Sequence, residues 1–351
     1  MKIYKKILCL FIILGQLVIL ASCLNDYNEE PQNGKVLQNV NFNYFNTVSY
    51  IYSYAGHEQD VFAENSNKAF ELLGEYHKLF DIYYEYSGIN NLCTVNKKAG
   101  VEAVEVDQRL IDFLIYTKEI YSITGGETNV MLGSVLKLWH DARETASNGG
   151  QKYVPSMEDL TNANQYVDIN LLEIDDEKNL VFIKDKNARI DVGAIGKGYA
   201  TEKVAEYLES IGCYKYVLNF GGNIRIIGNK DDGSGWNTGV TNPHDPSTYS
   251  LIINISDTAC VTSGDYERYY FYEGVKYHHI IDKDTLMPAD YFSSVTIITK
   301  NSGLADALST ALFAMSYDDG KKLIESLEGV EVIWIYKDGS IVYTDGVSVK
   351  Q

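Results

Sequence analysis

The sequence predicts a protein of the α+β class, folded as one large domain or two closely packed lobes. Apolar residues recur at helical spacing at about 61–80, 107–123 and 303–315. Runs of β-branched and aromatic residues flank two tight turns, Gly221-Gly222 and Asp338-Gly339, as is typical of β-hairpins. Hydrophobic residues make up 45% of the 351 residues, which is a globular composition and not a disordered one.

The first residues resemble a bacterial export signal. A basic start and a short apolar run lead into Leu20-Ala-Ser-Cys23. Such a segment is typical of a cleaved signal peptide, and Cys23 stands where a lipobox has its acylated cysteine; the alternative is an ordinary signal with a chance cysteine. We therefore expect a signal peptide at residues 1–22 and a polar tether at 23–42 that begins with lipidated Cys23. The mature protein would then be exported and lipid-anchored, on the outer face of the cytoplasmic membrane or on the periplasmic side.

Charge and cysteine usage exclude several classes of protein. The formal net charge of −18 argues against nucleic-acid binding, and an anionic ligand would need local cations or a metal ion to offset this field. Beyond Cys23, the remaining thiols of the mature chain are Cys93, Cys213 and Cys260. Their odd number and wide spacing predict buried thiols and neither a disulfide framework nor a cysteine metal site.

The amino-terminal half predicts one strand and two helices. Residues 45–54 are rich in aromatic and β-branched side chains, and 61–80 and 107–123 have amphipathic helical spacing. A glycine turn at Gly125-Gly126 then runs into an apolar segment that ends at Trp139. The polar residues 144–165 are predicted to form a loop.

The stretch Arg189–Ala200 is predicted to be a strand, a glycine-rich turn and the start of a helix that continues to Ile211. Gly193, Gly196 and Gly198 surround Lys197. Their spacing matches neither a P-loop nor the dinucleotide fingerprint G-x-G-x-x-G. Glycine spacing alone therefore leaves open a phosphate-bearing ligand and an ordinary tight connection.

The next candidate chemistry lies on predicted strands. Residues 216–228 form a hairpin around Gly221-Gly222, and 262–268 form a polar turn. A strand at 277–282 carries His278 and His279, and neighbouring strand residues point to opposite faces. The two histidines therefore cannot form a paired-histidine metal site.

Asp306 and Thr310 are the sharpest candidate pair. They lie four residues apart in the apolar helix at 303–315 and so share one face. A carboxylate and a hydroxyl are the hard oxygen ligands that Mg²⁺ prefers, although Mn²⁺ and Ca²⁺ use the same atoms. The alternative is a solvent-facing aspartate stabilised by the helix dipole. The residues alone leave both interpretations open.

Taken together, these stretches resemble the ApbE family of FAD:protein FMN transferases. The resemblance runs from about residue 43 to the end, so that residues 43–351 are assigned to one flavin transferase domain. It is carried by five segments in the family's order: Asp191–Ala200, Asn219–Asn223, Thr262–Arg268, Tyr277–Asp282 and Ala305–Thr310.

The resemblance implies an α+β fold that binds FAD as a substrate. In the family's reaction, the FMN half passes to a Thr or Ser hydroxyl of an acceptor protein and AMP leaves, with Mg²⁺ as cofactor. The acceptor would be an envelope redox protein that carries a Thr-containing motif. This chain lacks that motif and so resembles the donor enzyme.

Residue roles follow from the same resemblance. Ala194 would offer its backbone carbonyl to Mg²⁺, and the flavin diphosphate would lie at His279, which is also the candidate catalytic base. The other metal ligands would be Asp306 and Thr310, and the other FAD contacts would be Asp191, Lys197, Glu127, Thr128 and Asn129.

Some positions depart from the family pattern. Asn129 and Met131 replace an aspartate and a threonine that are common there, and Ser309 stands where some members have a carboxylate. Two alternatives share the flavin site: a Mg²⁺-dependent FAD pyrophosphatase, and a lipoprotein that holds flavin without cleaving it.

Overall fold

The computed structural model describes residues 36–53, 58–230 and 232–350. Its helices are α1 (Gln59–Phe80), α2 (Leu92–Lys97), α3 (Gln108–Ile123), α4 (Gly133–Ser147), α5 (Met157–Ala163), α6 (Gly196–Ser210), α7 (Ser302–Ala314) and α8 (Tyr317–Glu325). Its strands are β1 (Leu37–Asn41), β2 (Ser49–Ser53), β3 (Val104–Glu105), β4 (Leu172–Asp175), β5 (Leu180–Ile183), β6 (Tyr216–Phe220), β7 (Asn223–Ile227), β8 (Trp236–Thr241), β9 (Tyr249–Ile255), β10 (Ala259–Gly264), β11 (Tyr269–Tyr272), β12 (Val275–His278), β13 (Ser294–Thr299), β14 (Glu331–Ile335) and β15 (Ile341–Tyr343).

An eight-stranded antiparallel sheet is the centre of the fold. Its strand order is β1-β2-β6-β7-β10-β13-β14-β15. Helices α6 and α7 pack against each other and against the middle strands, and α1 packs on α6. Because α7 buries eleven of its thirteen residues, its apolar composition reflects contact with the sheet and with α6. The N-terminal ends of α6 and α7 meet above the centre of this sheet.

The β6–β7 hairpin turns on two glycines with left-handed backbone. Gly221 has φ of 60° and Gly222 has φ of 88°, which is the conformation of a two-residue hairpin turn that favours glycine. At Gly221 a side chain is also excluded by space, since a Cβ would lie 2.2 Å from Thr47 Oγ1. The turn therefore holds the hairpin tip close to the segment before β2.

A second layer of structure packs outside the central sheet. The β11–β12 hairpin packs on α4, where the Trp139 ring stacks on Tyr277 at 5.8 Å between centroids. Trp139 also donates from Nε1 to the Leu286 carbonyl at 2.9 Å. A three-stranded sheet, β3-β5-β4, and helix α3 complete the other side. The hairpin is thus fixed against a helix just before His279.

Most of the predicted elements are confirmed. The helices expected at 61–80, 107–123 and 303–315 are α1, α3 and α7, with ends within two residues. Both predicted hairpins are present, and Gly339 has the left-handed φ of 86° that its Asp-Gly turn requires. The mixed α+β class is confirmed as well.

Three local predictions are wrong. The segment before the glycine turn forms an isolated parallel bridge between Arg189 and Leu132 and not a strand, because the Asn96 side chain bonds both backbone groups of Ile190, at 2.8 and 2.9 Å. Residues 144–165 are largely helical, since α4 continues to Ser147 and the Ser156 hydroxyl caps α5. The predicted strand 277–282 ends at His278, where the chain bends.

The domain boundary also needs a correction. Residues 37–41, which were assigned to the tether, form β1 and pair with β2 from Leu37 to Asn41. The folded domain therefore includes residues before 43. The signal peptide and Cys23 lie outside the described residues. Within the described ranges, none of the helices combines the length and the apolar character needed to cross a bilayer.

Candidate active site

Asp306 is a buried carboxylate at the crossing of α6 and α7. It is 5% exposed, and its Oδ2 accepts a hydrogen bond from Gly198 N at 2.7 Å. Burial raises the pKa of Asp306, and this is opposed by Lys197, by the Gly198 N–H and by the Asn223 amide. The alternative of a solvent-facing aspartate is therefore excluded.

Ala194 lies in the turn two residues before α6 begins, and its backbone carbonyl lacks the usual helical hydrogen bond. In a regular helix the N–H of Gly198, four residues on, would donate to it, but that N–H is donated to Asp306. In the described ranges, the Ala194 carbonyl accepts no hydrogen bond from another residue. Redirecting one N–H to the buried carboxylate thus leaves a backbone oxygen free in the turn before α6.

A row of hydroxyls follows Asp306 on α7. Ser263 Oγ, on β10, lies 2.8 Å from Ser309 Oγ and 3.3 Å from Thr310 Oγ1. Ser309 also donates to the Asp306 carbonyl at 2.9 Å. Thr310 therefore lies against β10, while the Asp306 carboxylate bonds Gly198 of α6. Ser263 was missed as a site residue, although it lies inside one of the matching motifs.

Lys197 is the cation nearest to this carboxylate. Its Nζ lies 3.4 Å from the Gly221 carbonyl at the hairpin tip. Burial lowers the pKa of Lys197, and the Asp306 charge opposes that shift. In the described part of the chain it forms no ion pair within 4.0 Å, so its charge is available to a ligand.

His278 and His279 have separate environments, although the strand ends at His278 and its alternation does not extend to His279. His278 is buried, donates from Nε2 to the Ala289 carbonyl at 2.8 Å, and accepts from Ile280 N at 3.3 Å. His279 has a buried Nδ1 without a hydrogen-bond partner among the described residues. Burial, together with the positive charges of Arg268 and Arg143, lowers the pKa of His279 well below its usual value. His279 is therefore a neutral imidazole at pH 7.

Two arginines beside His279 were not predicted. Arg268 follows β10, and Arg143 lies on α4, between the apolar segment that ends at Trp139 and the predicted loop at 144–165. Burial and the nearby Arg268 charge lower the pKa of Arg143. Neither arginine has a carboxylate within 4.0 Å in the described ranges. A local concentration of positive charge thus exists in a protein of net charge −18.

Asp191 lies beside this cationic region. Its Oδ1 accepts from Gly193 N at 2.9 Å, which closes the turn before α6. Nearby, the Tyr83 ring stacks on His140 at 4.9 Å between centroids, and Arg143 Nη2 lies 3.2 Å from His140 Nδ1. The carboxylate, the arginine and the stacked rings form one side of the site.

Glu127, Thr128 and Asn129 are held by protein contacts. Glu127 pairs with Lys283 at 3.1 Å, and Asn129 Nδ2 donates to the Val167 carbonyl at 2.8 Å. Thr128 Oγ1 donates to the Ala307 carbonyl at 2.9 Å and so ties this loop to α7. The Thr128 side chain is 2% exposed, so its hydroxyl serves the packing of α7.

The hairpin that leads into His279 is fastened by a buried carboxylate. Asp265 is 6% exposed and receives Lys276 at 2.8 Å and Lys337 at 2.9 Å. Burial alone would raise the pKa of Asp265, but the two lysines hold it below its usual value. The loop before β11 is thereby joined to β12 and to the β14–β15 turn.

Comparison with known proteins identifies the family. The model of the ApbE family matches residues 45–334. The chain belongs to the ApbE family. The FAD:protein FMN transferase of Treponema pallidum is 31% identical over 271 residues, which cover 73% of this chain and 73% of that protein. A protein of the same name from Vibrio cholerae is 28% identical over 326 residues, covering 92% of each chain.

Solved structures of ApbE proteins have the same fold. The ApbE protein of Thermotoga maritima has a TM-score of 0.77 at 27% identity, covering 89% of this chain and 97% of that one. The flavin transferase ApbE from Vibrio cholerae has a TM-score of 0.73 at 25% identity, covering 90% and 98%. The resemblance inferred from the motifs is therefore confirmed.

Proposed function

We propose that this protein is an FAD:protein FMN transferase that depends on a divalent cation. The observation that carries the proposal is the buried Asp306 carboxylate, which takes the Gly198 N–H and so leaves the Ala194 carbonyl, four residues earlier, without that donor. Buried carboxylates are costly unless a charge or a metal offsets them. The names of the Treponema and Vibrio relatives support the same activity.

Three oxygens of different kinds fit a Mg²⁺ ion. They are the Asp306 carboxylate, the Thr310 hydroxyl and the Ala194 carbonyl, all hard ligands. The described ranges contain no cluster of three His, Cys, Asp or Glu side chains that could hold a metal. The bound ion would therefore take its remaining ligands from water and from the FAD diphosphate, whose charge it would neutralise.

The cationic residues of the site bind and orient the diphosphate. Lys197, Arg143 and Arg268 supply positive charge where the protein as a whole repels anions. The glycine turn before α6 lets the backbone approach a phosphate, and the helix N-terminus favours negative charge there. Asp191, Glu127 and Asn129 remain the proposed flavin contacts, and Thr128 holds their loop against α7.

His279 is proposed to move the proton in the transfer step. Its neutral imidazole takes the proton of the acceptor Thr or Ser hydroxyl, because depression of its pKa keeps a lone pair free at pH 7. The hydroxyl oxygen bonds to the phosphorus on the FMN side of the diphosphate. The bond from that phosphorus to the bridging oxygen breaks, and AMP leaves with the bridging oxygen.

One experiment tests this activity. The purified protein, FAD and Mg²⁺ are incubated with candidate envelope redox proteins, and intact-mass spectrometry measures addition of one FMN. We expect addition with the wild type and with Asp319→Asn, an exposed control in α8, and loss of at least about a hundredfold with Asp306→Asn. Unimpaired transfer by Asp306→Asn would contradict the metal site.

The same assay separates the alternative activities. Rapid release of FMN and AMP from FAD without any acceptor would identify a pyrophosphatase. FAD that stays bound and intact with Mg²⁺ and acceptors present would identify a flavin-binding protein without transferase activity.

We also propose export and lipid anchoring through Cys23, on the strength of the signal-like residues 1–22 alone. The acceptor would then be met in the cell envelope. Cell fractionation of the full-length protein tests this: the wild type is expected in the membrane fraction and Cys23→Ala in the soluble or unprocessed fraction. Equal membrane recovery of a processed Cys23→Ala protein would contradict the anchor.

A further inference from the structure

Helices α6 and α7 are joined by two hydrogen bonds near their N-terminal ends, each from a backbone N–H of one helix to a carboxylate of the other. Asp306 of α7 accepts from Gly198 N of α6 at 2.7 Å, and Glu202 of α6 accepts from Ser302 N of α7 at 2.5 Å. In each helix the carboxylate lies four residues after the N–H that is donated to the other helix. The two contacts thus form a reciprocal clamp, in which each helix caps an N-terminal N–H of its neighbour.

The two halves of this clamp differ in charge compensation. Glu202 has a buried cation beside it, because Arg225 Nε lies 3.4 Å from its Oε1. Asp306 receives from the same strand only the neutral amide of Asn223. Asn223 and Arg225 are two residues apart on β7 and so point to the same face. Glu202 is thus paired with an arginine inside the protein, whereas Asp306 has no ion pair within 4.0 Å in the described ranges and is offset only in part by the Lys197 charge.

The helices cross too closely to tolerate a shift. A Cβ at Gly198 would lie 2.3 Å from Asp306 Cβ and 2.4 Å from the Ser302 carbonyl oxygen. The separation of α6 and α7 is therefore set by direct backbone contact and by the two clamp hydrogen bonds. Movement of Ser302 at the start of α7 would displace Asp306, one turn later on the same rigid helix.

We propose that Glu202, held by Arg225, is a positioning residue for the metal site at Asp306. The inference rests on the proposed metal role of Asp306. Glu202 does not touch the metal or the substrate. It fixes the position of α7, and with it the positions of Asp306 and Thr310 relative to the turn that carries Ala194. Residues that orient a metal ligand commonly change metal affinity about 10- to 100-fold when they are replaced.

The test measures metal binding without turnover. Mn²⁺ affinity of the purified protein is determined from loss of the free-ion EPR signal, and hydrogen exchange is followed at the amides of Ser302–Asp306. We expect Glu202→Ala to weaken Mn²⁺ binding by at least about tenfold and to speed exchange in the first turn of α7. Glu202→Gln, whose amide oxygen can still accept from Ser302 N, should show an intermediate loss.

Glu209→Gln is the matched control. Glu209 contacts the same Arg225, at 3.0 Å, but does not contact α7. We expect its Mn²⁺ affinity to stay within about twofold of the wild type, since the distant partner does not orient a ligand. If Glu202→Ala does not fold, the comparison of the two Gln variants decides by itself.

Two results overturn the inference. The first is wild-type Mn²⁺ affinity in the Glu202 variants while Asp306→Asn loses it. The second is an equal loss in Glu209→Gln, because the charge on Arg225 and not the contact with α7 would then matter. Unchanged affinity in Asp306→Asn has a different meaning: it overturns the proposed metal ligand, and this inference with it.

Discussion

At the residue scale, Asp306 is a carboxylate held where its charge is disfavoured. Burial raises its pKa, and Lys197 and two hydrogen-bond donors compensate only in part. Asn223 Oδ1 beside it is buried and accepts no hydrogen bond in the described part of the chain. In a metal-free protein, a cation site is expected to contain buried oxygens that lack full compensation, as the Asp306 carboxylate and Asn223 Oδ1 do here.

Replacing this charge should therefore stabilise the metal-free protein. In Asp306→Asn the remaining oxygen can still accept from Gly198 N, and the new amide can donate to Asn223 Oδ1 once the Asn223 amide, which donates to Asp306 in the wild type, turns over. We expect unfolding stability without metal to rise by on the order of 1 kcal/mol. Thermal unfolding with and without Mg²⁺ measures this, and the Mg²⁺-induced rise in Tm should disappear.

Asp319→Asn is the control for that experiment, and it should keep the wild-type response to Mg²⁺. A metal-free Asp306→Asn protein that is several kcal/mol less stable than the wild type would contradict this view, because Asp306 would then be a structural charge.

His278 should make the stability depend on pH. Burial lowers its pKa to about 4, below the value of 6.5 in the unfolded chain. Between these values the unfolded state binds the extra proton, so stability is fully present above pH 6.5 and falls as the pH falls. At about 1.4 kcal/mol per pKa unit, the loss from pH 7 to pH 5 is about 2 kcal/mol.

The His278→Gln variant should lose this part of the pH dependence. Urea unfolding at pH 7 and pH 5 gives the change for each protein, and the exposed His244→Gln serves as the control. The Gln variant should be less stable at pH 7 but should lose less stability on acidification. Parallel pH curves for His278→Gln and the wild type would contradict the role of His278.

At the scale of elements, the two glycines of the β6–β7 turn allow the cost of backbone strain to be separated from the cost of steric overlap. Gly222 needs only a left-handed φ, because a Cβ there would meet nothing within 4 Å. Gly221 has the same left-handed backbone, and in addition a Cβ there would overlap the Thr47 side chain. We expect Gly222→Ala to cost about 1 kcal/mol from backbone strain. Gly221→Ala should cost about 2–4 kcal/mol, because overpacking adds to the strain.

Urea unfolding of the two alanine variants measures the difference. Gly221→Ala should also weaken FAD binding, since the Gly221 carbonyl lies 3.4 Å from Lys197 Nζ. Equal stability losses in both variants would show that the hairpin tip moves away from Thr47 without cost.

The elements that the sequence predicted well are those with strong local signals. Helix α7 has an apolar composition and an Asn301 cap that accepts from Leu304 N, so both its type and its start were predictable. The segment before Gly193 reads as a strand by its apolar residues. The backbone of Ile190 is bonded instead by Asn96, which lies 94 residues away in sequence, and its neighbour Arg189 forms an isolated bridge with Leu132. No local pattern contains such a partner.

The candidate site was predictable in its motifs and not in its two arginines. Asp306, Thr310, Lys197 and His279 lie in segments that the family resemblance marks. Arg143 lies beyond the apolar segment that was predicted to end at Trp139, and it approaches the site because α4 packs on the β11–β12 hairpin. Glu202 stands at an ordinary helical position, and its contact with Ser302 depends on how α6 and α7 cross.

At the scale of the whole molecule, the proposed anchor limits where the active site can work. Residues 24–36 join Cys23 to β1, and a chain of this length spans at most about 45 Å. A lipid at Cys23 would therefore keep the domain close to the membrane. The acceptor hydroxyl would have to be presented within that distance of the lipid surface.

Shortening this segment should reduce the distance that the domain can move from the membrane without changing its catalytic rate. Deletion of residues 26–33 removes more than half of the connection but leaves β1 and the site intact. In cells, we expect less FMN on a membrane-bound acceptor, because the shorter chain spans at most about 20 Å. The purified variant should modify a soluble form of the same acceptor at the wild-type rate. Both rates are measured by mass spectrometry of the acceptor; an equal loss in both assays would instead mean that the deletion damages the catalytic domain.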